Sequence, residues 1–389
     1  MPIAIAAPYP VEAGANKLTV GPGVPHGTNP MRSIWQHCLR PMDPHERVSR
    51  VRSVHARVNR RTPNARSGSY LYALVRLAVV SLLLESVPAM AQGIDFDKTQ
   101  ILTESLAPHF YALRGSPHTD PLHPDAAGGC IGIFVGSDGV LMVDASYPQL
   151  SNKILDVIRR ITPSPIKYLV NTHAHRDHVS GNPQFAKLGA VIFARDEARE
   201  RMDGPQPPED MVSTTDPERL PAITYGLRDP VKIHMGSETV DLIPVAGAHT
   251  DGDTIIRFEN SDIVMTGDVY RSYGYPFIDV STGGTVAGTI DALEKLLRIG
   301  GPETTFVPGH GVVVRREAIA AQRDMVLDVV TRAKTMISKG MTHGDILKAK
   351  LTASYDTKVP GGLDKLPGGT MTTADRFVDA VYSELQAKH

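Results

Sequence analysis

His173-Ala174-His175-Arg176-Asp177-His178 places three imidazoles and a carboxylate within six residues. Neither helical nor strand packing generates that spacing. Imidazole is the commonest metal ligand, and zinc accepts nitrogen and oxygen donors together. The run follows Ile166-Lys167-Tyr168-Leu169-Val170, apolar and β-prone, which ends at Asn171. This order predicts a buried strand delivering a ligand loop at its C-terminal tip, where open α/β sheets place their sites. Burying four such groups without a cation would leave charges and donors unpaired.

Two metals cannot be enclosed by one short loop, so more donors are expected at other strand ends. Downstream stand Gly247-Ala248-His249-Thr250-Asp251-Gly252-Asp253, then Met265-Thr266-Gly267-Asp268, then Pro308-Gly309-His310-Gly311. They follow short β-like runs at 240–245, 263–265 and 305–307. The flanking glycines let the backbone turn sharply and approach a ligand closely.

H-x-H-x-D-H, a glycine-rich turn with His, G-D and G-H-G, in this order over roughly residues 100–340, resemble the metallo-β-lactamase superfamily. The resemblance implies two zinc ions per chain. His173, His175 and His249 would hold one; Asp177, His178 and His310 would hold the second, with Asp268 bridging them or binding the second. The pattern of elements alone gives an α/β fold with sheets covered by helices. The resemblance sharpens this to a four-layer αβ/βα sandwich of two mixed sheets. The hairpin over 131–144, with Ser137-Asp138-Gly139 as its turn, is similar to the family's early strand pair. Asp144, at its end, resembles an acid that orients a ligating histidine through the other ring N–H.

The resemblance also implies hydrolysis by a metal-activated water, with Asp177 and Asp268 as catalytic carboxylates and no covalent enzyme intermediate. Asp268 departs from the best-known zinc lactamases, which place Cys or Ser near here. It resembles the thioesterases, lactonases and other general hydrolases of the superfamily. Arg271 stands where some lactamases hold the substrate carboxylate, a task suited to a guanidinium. Tyr273 joins it as a candidate substrate-binding residue, within a cluster that includes Tyr270, Tyr275 and Phe277. The expectation is an exported di-zinc hydrolase acting on a small molecule, with β-lactam ring opening, and hence antibiotic resistance, as the leading activity. A lactonase, ester or thioester hydrolase is the alternative. A redox member with iron in the same ligands would carry a flavin domain, which nothing here resembles. Ser164-Pro165-Ile166-Lys167 fits S-x-x-K, but Pro165 and the β-like run after it predict a loop entering a strand rather than a helix start. Asp251-Gly252-Asp253 lacks the remaining acidic positions of a calcium loop.

The formal net charge of −1 hides a division. Residues 1–92 carry eleven Lys+Arg against four Asp+Glu, and the remainder 30 against 38. An acidic globular part argues against nucleic acid as a partner. Residues 1–70 are rich in Pro, Gly and Arg, lack periodicity and are expected to be disordered. The apolar run 71–84 with Ala89-Met90-Ala91 after it fits a secretory signal over about 71–91, too short for a stable membrane span. Translation from Leu71, Leu74 or Val75 would place that signal at the terminus. The expected location is periplasmic or secreted. Export would leave Cys130 as the mature part's one cysteine, so no disulfide forms within it. The oligomeric state is not legible.

The domain reading is a leader over 1–92, a metallo-β-lactamase-like domain over 93–338 and a helical C-terminal extension over 339–389, packed on the second half. Helical spacing marks 152–161, 286–297 with Thr285 as cap, and 318–337. A short helix is expected from Asn182 and a strand over 190–193. The Pro- and acid-rich stretch 203–230 reads as an inserted loop near the site mouth.

Overall fold

The computed structural model describes residues 93–203 and 220–387. The leader, signal run and proposed start sites therefore lie outside the described residues, as does most of the stretch after 203.

Two sheets form the middle of the molecule. The first has seven strands in sequential order: β1 (Ile101–Ala107), β2 (Phe110–Gly115), β3 (Ile131–Gly136), β4 (Gly139–Val143), β5 (Ile166–Val170), β6 (Val191–Arg195) and β7 (Ile223–Tyr225). Its first four strands pair antiparallel and its last four parallel. The second sheet has five strands: β8 (Val231–Met235), β9 (Glu238–Pro244), β10 (Thr254–Phe258), β11 (Ile263–Met265) and β12 (Thr305–Val307), with only β11 and β12 parallel. The expectation of one loop over 203–230 is corrected here. Residues 223–225 pass from exposed to buried and add an edge strand to β6, because Tyr225 turns its ring into the core between the sheets.

Every residue of β4 is buried, and its alternate side chains serve two cores. Leu141 and Val143 meet Val240, Leu242 and Ile256 between the sheets. Val140 and Met142 face the outer helices α1 (Ser151–Ile161) and α3 (Asn182–Ala186), against Ile154, Ile158 and Phe185. A strand buried on both faces must be continuously apolar, as this one is. Between α1 and α3 lies the single turn α2 (Arg176–Val179), and α4 (Asp196–Met202) follows β6. The second sheet is covered by α5 (Val286–Ile299), α6 (Arg316–Ser338) and α8 (Thr373–Ala387), which share one hydrophobic cluster. The short α7 (His343–Lys348) adds Ile346 to that cluster. The result is helix, sheet, sheet, helix: the four-layer sandwich.

The segment after 338 adds Phe377, Val378 and Val381 to the same core as Leu293 and Val329. Thr285 caps α5 by accepting from the Gly288 N–H, as its sequence position predicts. Among the described residues, no helix is long and apolar enough to cross a membrane.

Candidate metal centre

Five strand ends deliver the site. β5 ends at Val170, and the next residues are pinned from two sides. Asn171 and Asn182 exchange side-chain amide hydrogen bonds of 3.1 and 2.7 Å, tying the strand exit to the start of α3. Asp144, one residue past β4, sits at φ 60 and accepts from both the Thr172 N–H (2.8 Å) and its hydroxyl (2.7 Å). Asp tolerates that left-handed backbone better than most residues. His173 and His175 thus leave the strand tip in fixed directions, and α2 returns Asp177 and His178 to the same spot. The turns after β9, β11 and β12 contribute His249, Asp268 and His310.

All seven predicted ligands are brought together. In the first group, His175 Nδ1 lies 3.1 Å from His173 Nε2 and 2.7 Å from His249 Nε2. The outer ring nitrogens fix the tautomers. His173 Nδ1 faces the Thr172 hydroxyl (3.0 Å), whose own hydrogen goes to Asp144. His249 Nδ1 donates to the Phe277 carbonyl (2.7 Å), and His175 Nε2 to Asp279 (3.0 Å). Each ring spends its N–H outward, so three lone pairs converge on one point. Burial and the neighbouring imidazoles push His173 and His249 well below the ordinary histidine range, which keeps both neutral. Neutral imidazoles with converging lone pairs are a cation's ligand set.

In the second group, His178 donates through Nδ1 to Asp144 (2.8 Å) and turns Nε2 to Asp268 Oδ1 (3.3 Å) and Asp177 Oδ2 (3.5 Å). His310 Nε2 lies 2.9 Å from the same Asp177 oxygen and 3.6 Å from Asp268 Oδ1. Asp177 Oδ2, His178 Nε2, Asp268 Oδ1 and His310 Nε2 are buried with no hydrogen-bond partner. Burial alone would raise the two carboxyls. The rings of His178, His123 and His310 hold Asp177 well below its usual range, and His310, Arg271 and His178 do so for Asp268. Burial opposes charge on His178, yet Asp177 and Asp144 outweigh it and raise its pKa well above normal. Two buried carboxylates that draw positive charge, ringed by unpartnered nitrogens, fit a second cation.

Asp268 faces both groups, with Oδ1 toward His178 and His310 and Oδ2 3.8 Å from His249 Nε2. Gly309 makes this close approach feasible, because a Cβ there would collide with Asp268 Oδ1.

Residues 129–310 match the model of the metallo-beta-lactamase superfamily. These residues form a metallo-β-lactamase superfamily domain. Superfamily members are metal-dependent hydrolases, and this domain carries His and Asp groups able to bind metal. The chain is similar to a hydroxyacylglutathione hydrolase of Fuscovulum blasticum, 30% identical over 140 residues, which are 36% of this chain and 46% of that protein. It is also similar to a probable metallo-hydrolase of Methanocaldococcus jannaschii, 23% identical over 205 residues, covering 48% of this chain and 90% of the other. Among solved structures, a stereoselective inverting sec-alkylsulfatase from a Pseudomonas species superposes with a TM-score of 0.52 at 17% identity, over 74% of this chain and 50% of that one. That likeness concerns the fold. The chain spans about half the length of the hydroxyacylglutathione hydrolase and of the alkylsulfatase.

Beside the His and Asp groups able to bind metal lies a pocket lined by His123, Arg176, Arg271, Tyr273, Phe277 and Arg376. Arg271 is buried there, with Nη1 3.6 Å from Asp268 Oδ2 and Nε without a partner. The Tyr273 hydroxyl donates to Asp364 at 2.5 Å, joining the pocket wall to the segment before α8. Phe277 lies parallel to His175 with centroids 5.9 Å apart and forms an apolar wall. Tyr270 and Tyr275 belong to the core beneath; the Tyr275 hydroxyl is spent on Asp356.

The other chemistries considered find no support in the geometry. Lys167 of the S-x-x-K match lies on β5 and pairs with Asp138 at 2.8 Å. Asp253 accepts from the His249 and Thr250 N–H groups and the Thr250 hydroxyl, so it shapes the His249 turn. Cys130 is buried and free, its thiol pushed up to about 12 by burial and then by Asp125, which removes it as a nucleophile. Sequence reasoning missed Asp279, Asp120 and His123. Asp279 and His123 follow no strand and belong to no spaced motif. Only a count of carboxylates against histidines needing outer partners could have pointed to them.

Proposed function

We propose that this protein is a di-zinc hydrolase that cleaves an ester, lactone or thioester carrying a carboxylate. The observation that carries this reading is Asp268, whose two oxygens face the two histidine groups. A carboxylate in that place suits two firmly held cations and a general acyl hydrolase. Two zinc ions in these ligands would supply a water that ionises near neutral pH and a Lewis acid for a carbonyl oxygen. Asp177, which lines the pocket, would also orient the attacking water by accepting its hydrogen bond. Arg271 binds the substrate carboxylate, and Phe277 keeps bulk water from the reacting carbonyl. Similarity to a hydroxyacylglutathione hydrolase supports an acyl substrate, because its name describes thioester cleavage.

β-Lactam ring opening is the second reading. Arg271 favours it, lining the pocket beside Asp268 as a cation for a substrate carboxylate. Export to the periplasm or medium belongs to the proposal and rests on the run at 71–91. A start at Leu71, Leu74 or Val75 goes with it; N-terminal sequencing of the native protein tests that start, and a peptide from residues 1–70 in cells would end it. The activity test sets a chromogenic cephalosporin beside an acyl lactone and an acyl thioester, each with and without chelator. Chelator-sensitive turnover of the lactone or thioester is expected. Turnover of the cephalosporin alone would overturn the first reading, and chelator-insensitive turnover would overturn both.

A further inference from the structure

His123 comes from the loop between β2 and β3, far in sequence from every predicted ligand, yet it stands at the centre. Its ring stacks on His310, with centroids 4.4 Å apart and planes 15° from parallel. Its Nε2 lies 3.6 Å from Asp177 Oδ2, the oxygen that His310 Nε2 also approaches at 2.9 Å. The donor atoms of His123, Asp177 and His310 lie within 4.8 Å of one another.

The other side of the ring fixes its tautomer. His123 Nδ1 is 3.1 Å from Asp120 Oδ2. Asp120 is buried, and its other oxygen accepts from the Leu122 N–H at 2.8 Å while Tyr147 donates to Oδ2 at 3.3 Å. The Nδ1 hydrogen therefore goes to Asp120, and Nε2 faces Asp177, where the neutral ring presents a lone pair. A cation between that nitrogen and the Asp177 oxygen would be held by both. The same device occurs twice more here: Asp144 accepts from His178 and Asp279 from His175, each sending the opposite nitrogen into the metal-binding groups. A carboxylate behind the ring is how proteins orient a metal-ligating histidine.

We propose that His123, oriented by Asp120, is a further ligand of the second cation, together with Asp177 and His310, on the side open to the pocket. This rests on the two-cation reading above. Asp120 is then a positioning residue. His123, with 17% of its side chain accessible, lines the pocket beside Asp177, so it borders the place where substrate enters.

The test titrates metal-free wild type, His123→Ala, His123→Gln and Asp120→Asn with Zn2+ against a chromophoric chelator, and records absorption spectra of the Co2+-loaded proteins. Circular dichroism establishes that each variant is folded. Wild type should take up two cations. His123→Ala should keep the tighter one and bind the other at least tenfold more weakly, with a changed cobalt spectrum. Asp120→Asn should move the same way, about tenfold, the lower end of what outer partners cost in affinity, and by no more than His123→Ala. His123→Gln preserves bulk and a donor toward Asp120 but not the ring nitrogen, so it carries the comparison if the alanine variant does not fold. Two cations bound to a folded His123 variant with wild-type affinities and spectrum would reduce His123 to a hydrogen-bonding neighbour of Asp177 and overturn the proposal alone. Fewer than two cations in wild type would overturn the two-cation reading and this proposal together.

Discussion

At the scale of single residues, the carboxylates behind the rings aim the donors. Asp144 accepts from Thr172 twice and from His178, so one carboxylate sets the direction of two ligand-bearing segments. Asn at 144 tolerates the positive φ and keeps the volume, but it replaces a charged acceptor by a neutral one. Asp144→Asn should weaken cation binding about 10–100-fold with the fold retained. Chelator competition checks this, and unchanged affinity would remove Asp144 from the centre's support. The seven ligands were legible because each follows an apolar run and most lie in turns with glycine. His123 and Asp279 were not, since their importance comes from what stands across from them. His123 meets His310, and Asp279 meets His175.

At the scale of elements, most were legible where one face had to be buried. The strand from Ile166 and the helix over 152–161 follow directly from apolar spacing. The edge strand β7 was hidden, because three residues beside an acid- and proline-rich stretch carry too little periodicity to read. The start of α8 depended on local chemistry. Asp375 accepts from the Thr372 N–H (3.1 Å) and hydroxyl (2.8 Å), donates its own N–H back to Thr372, and pairs with Lys350 at 2.8 Å. Burial raises the Asp375 carboxyl, but Lys350 and Thr372 outweigh it and hold it below the usual range. A carboxyl depressed on folding stabilises above its unfolded value, ~3.9, and loses that contribution as pH falls through the folded value. Asp375→Ala should therefore cost about 1 kcal/mol at neutral pH. The gap from wild type should narrow as pH is taken below the ordinary carboxylate range. Denaturant unfolding at several pH values measures it, and a gap that widens in acid would contradict the assignment.

At the scale of the whole molecule, the two halves of the sandwich meet at the centre. His173, His175, Asp177 and His178 come from the first sheet's side, and His249, Asp268 and His310 from the second's. Cations held there should act as a clamp between them. A ligand that binds only the folded state at 100 times its dissociation constant adds about 2.7 kcal/mol. Chelation should therefore lower the melting temperature by on the order of 5 °C, restored by Zn2+. Calorimetry with and without chelator decides, and identical melting would mean that no cation bridges the halves. The sequence by itself determined the donor set, the strands that carry it and the α/β class, because ligand type and hydrophobic period are local properties of the chain. Only the tertiary structure decided which carboxylate stands behind which imidazole, that Asp268 faces both groups, and that a histidine from the β2–β3 loop joins them. Those facts depend on chain crossings between two sheets, and no local period encodes a crossing.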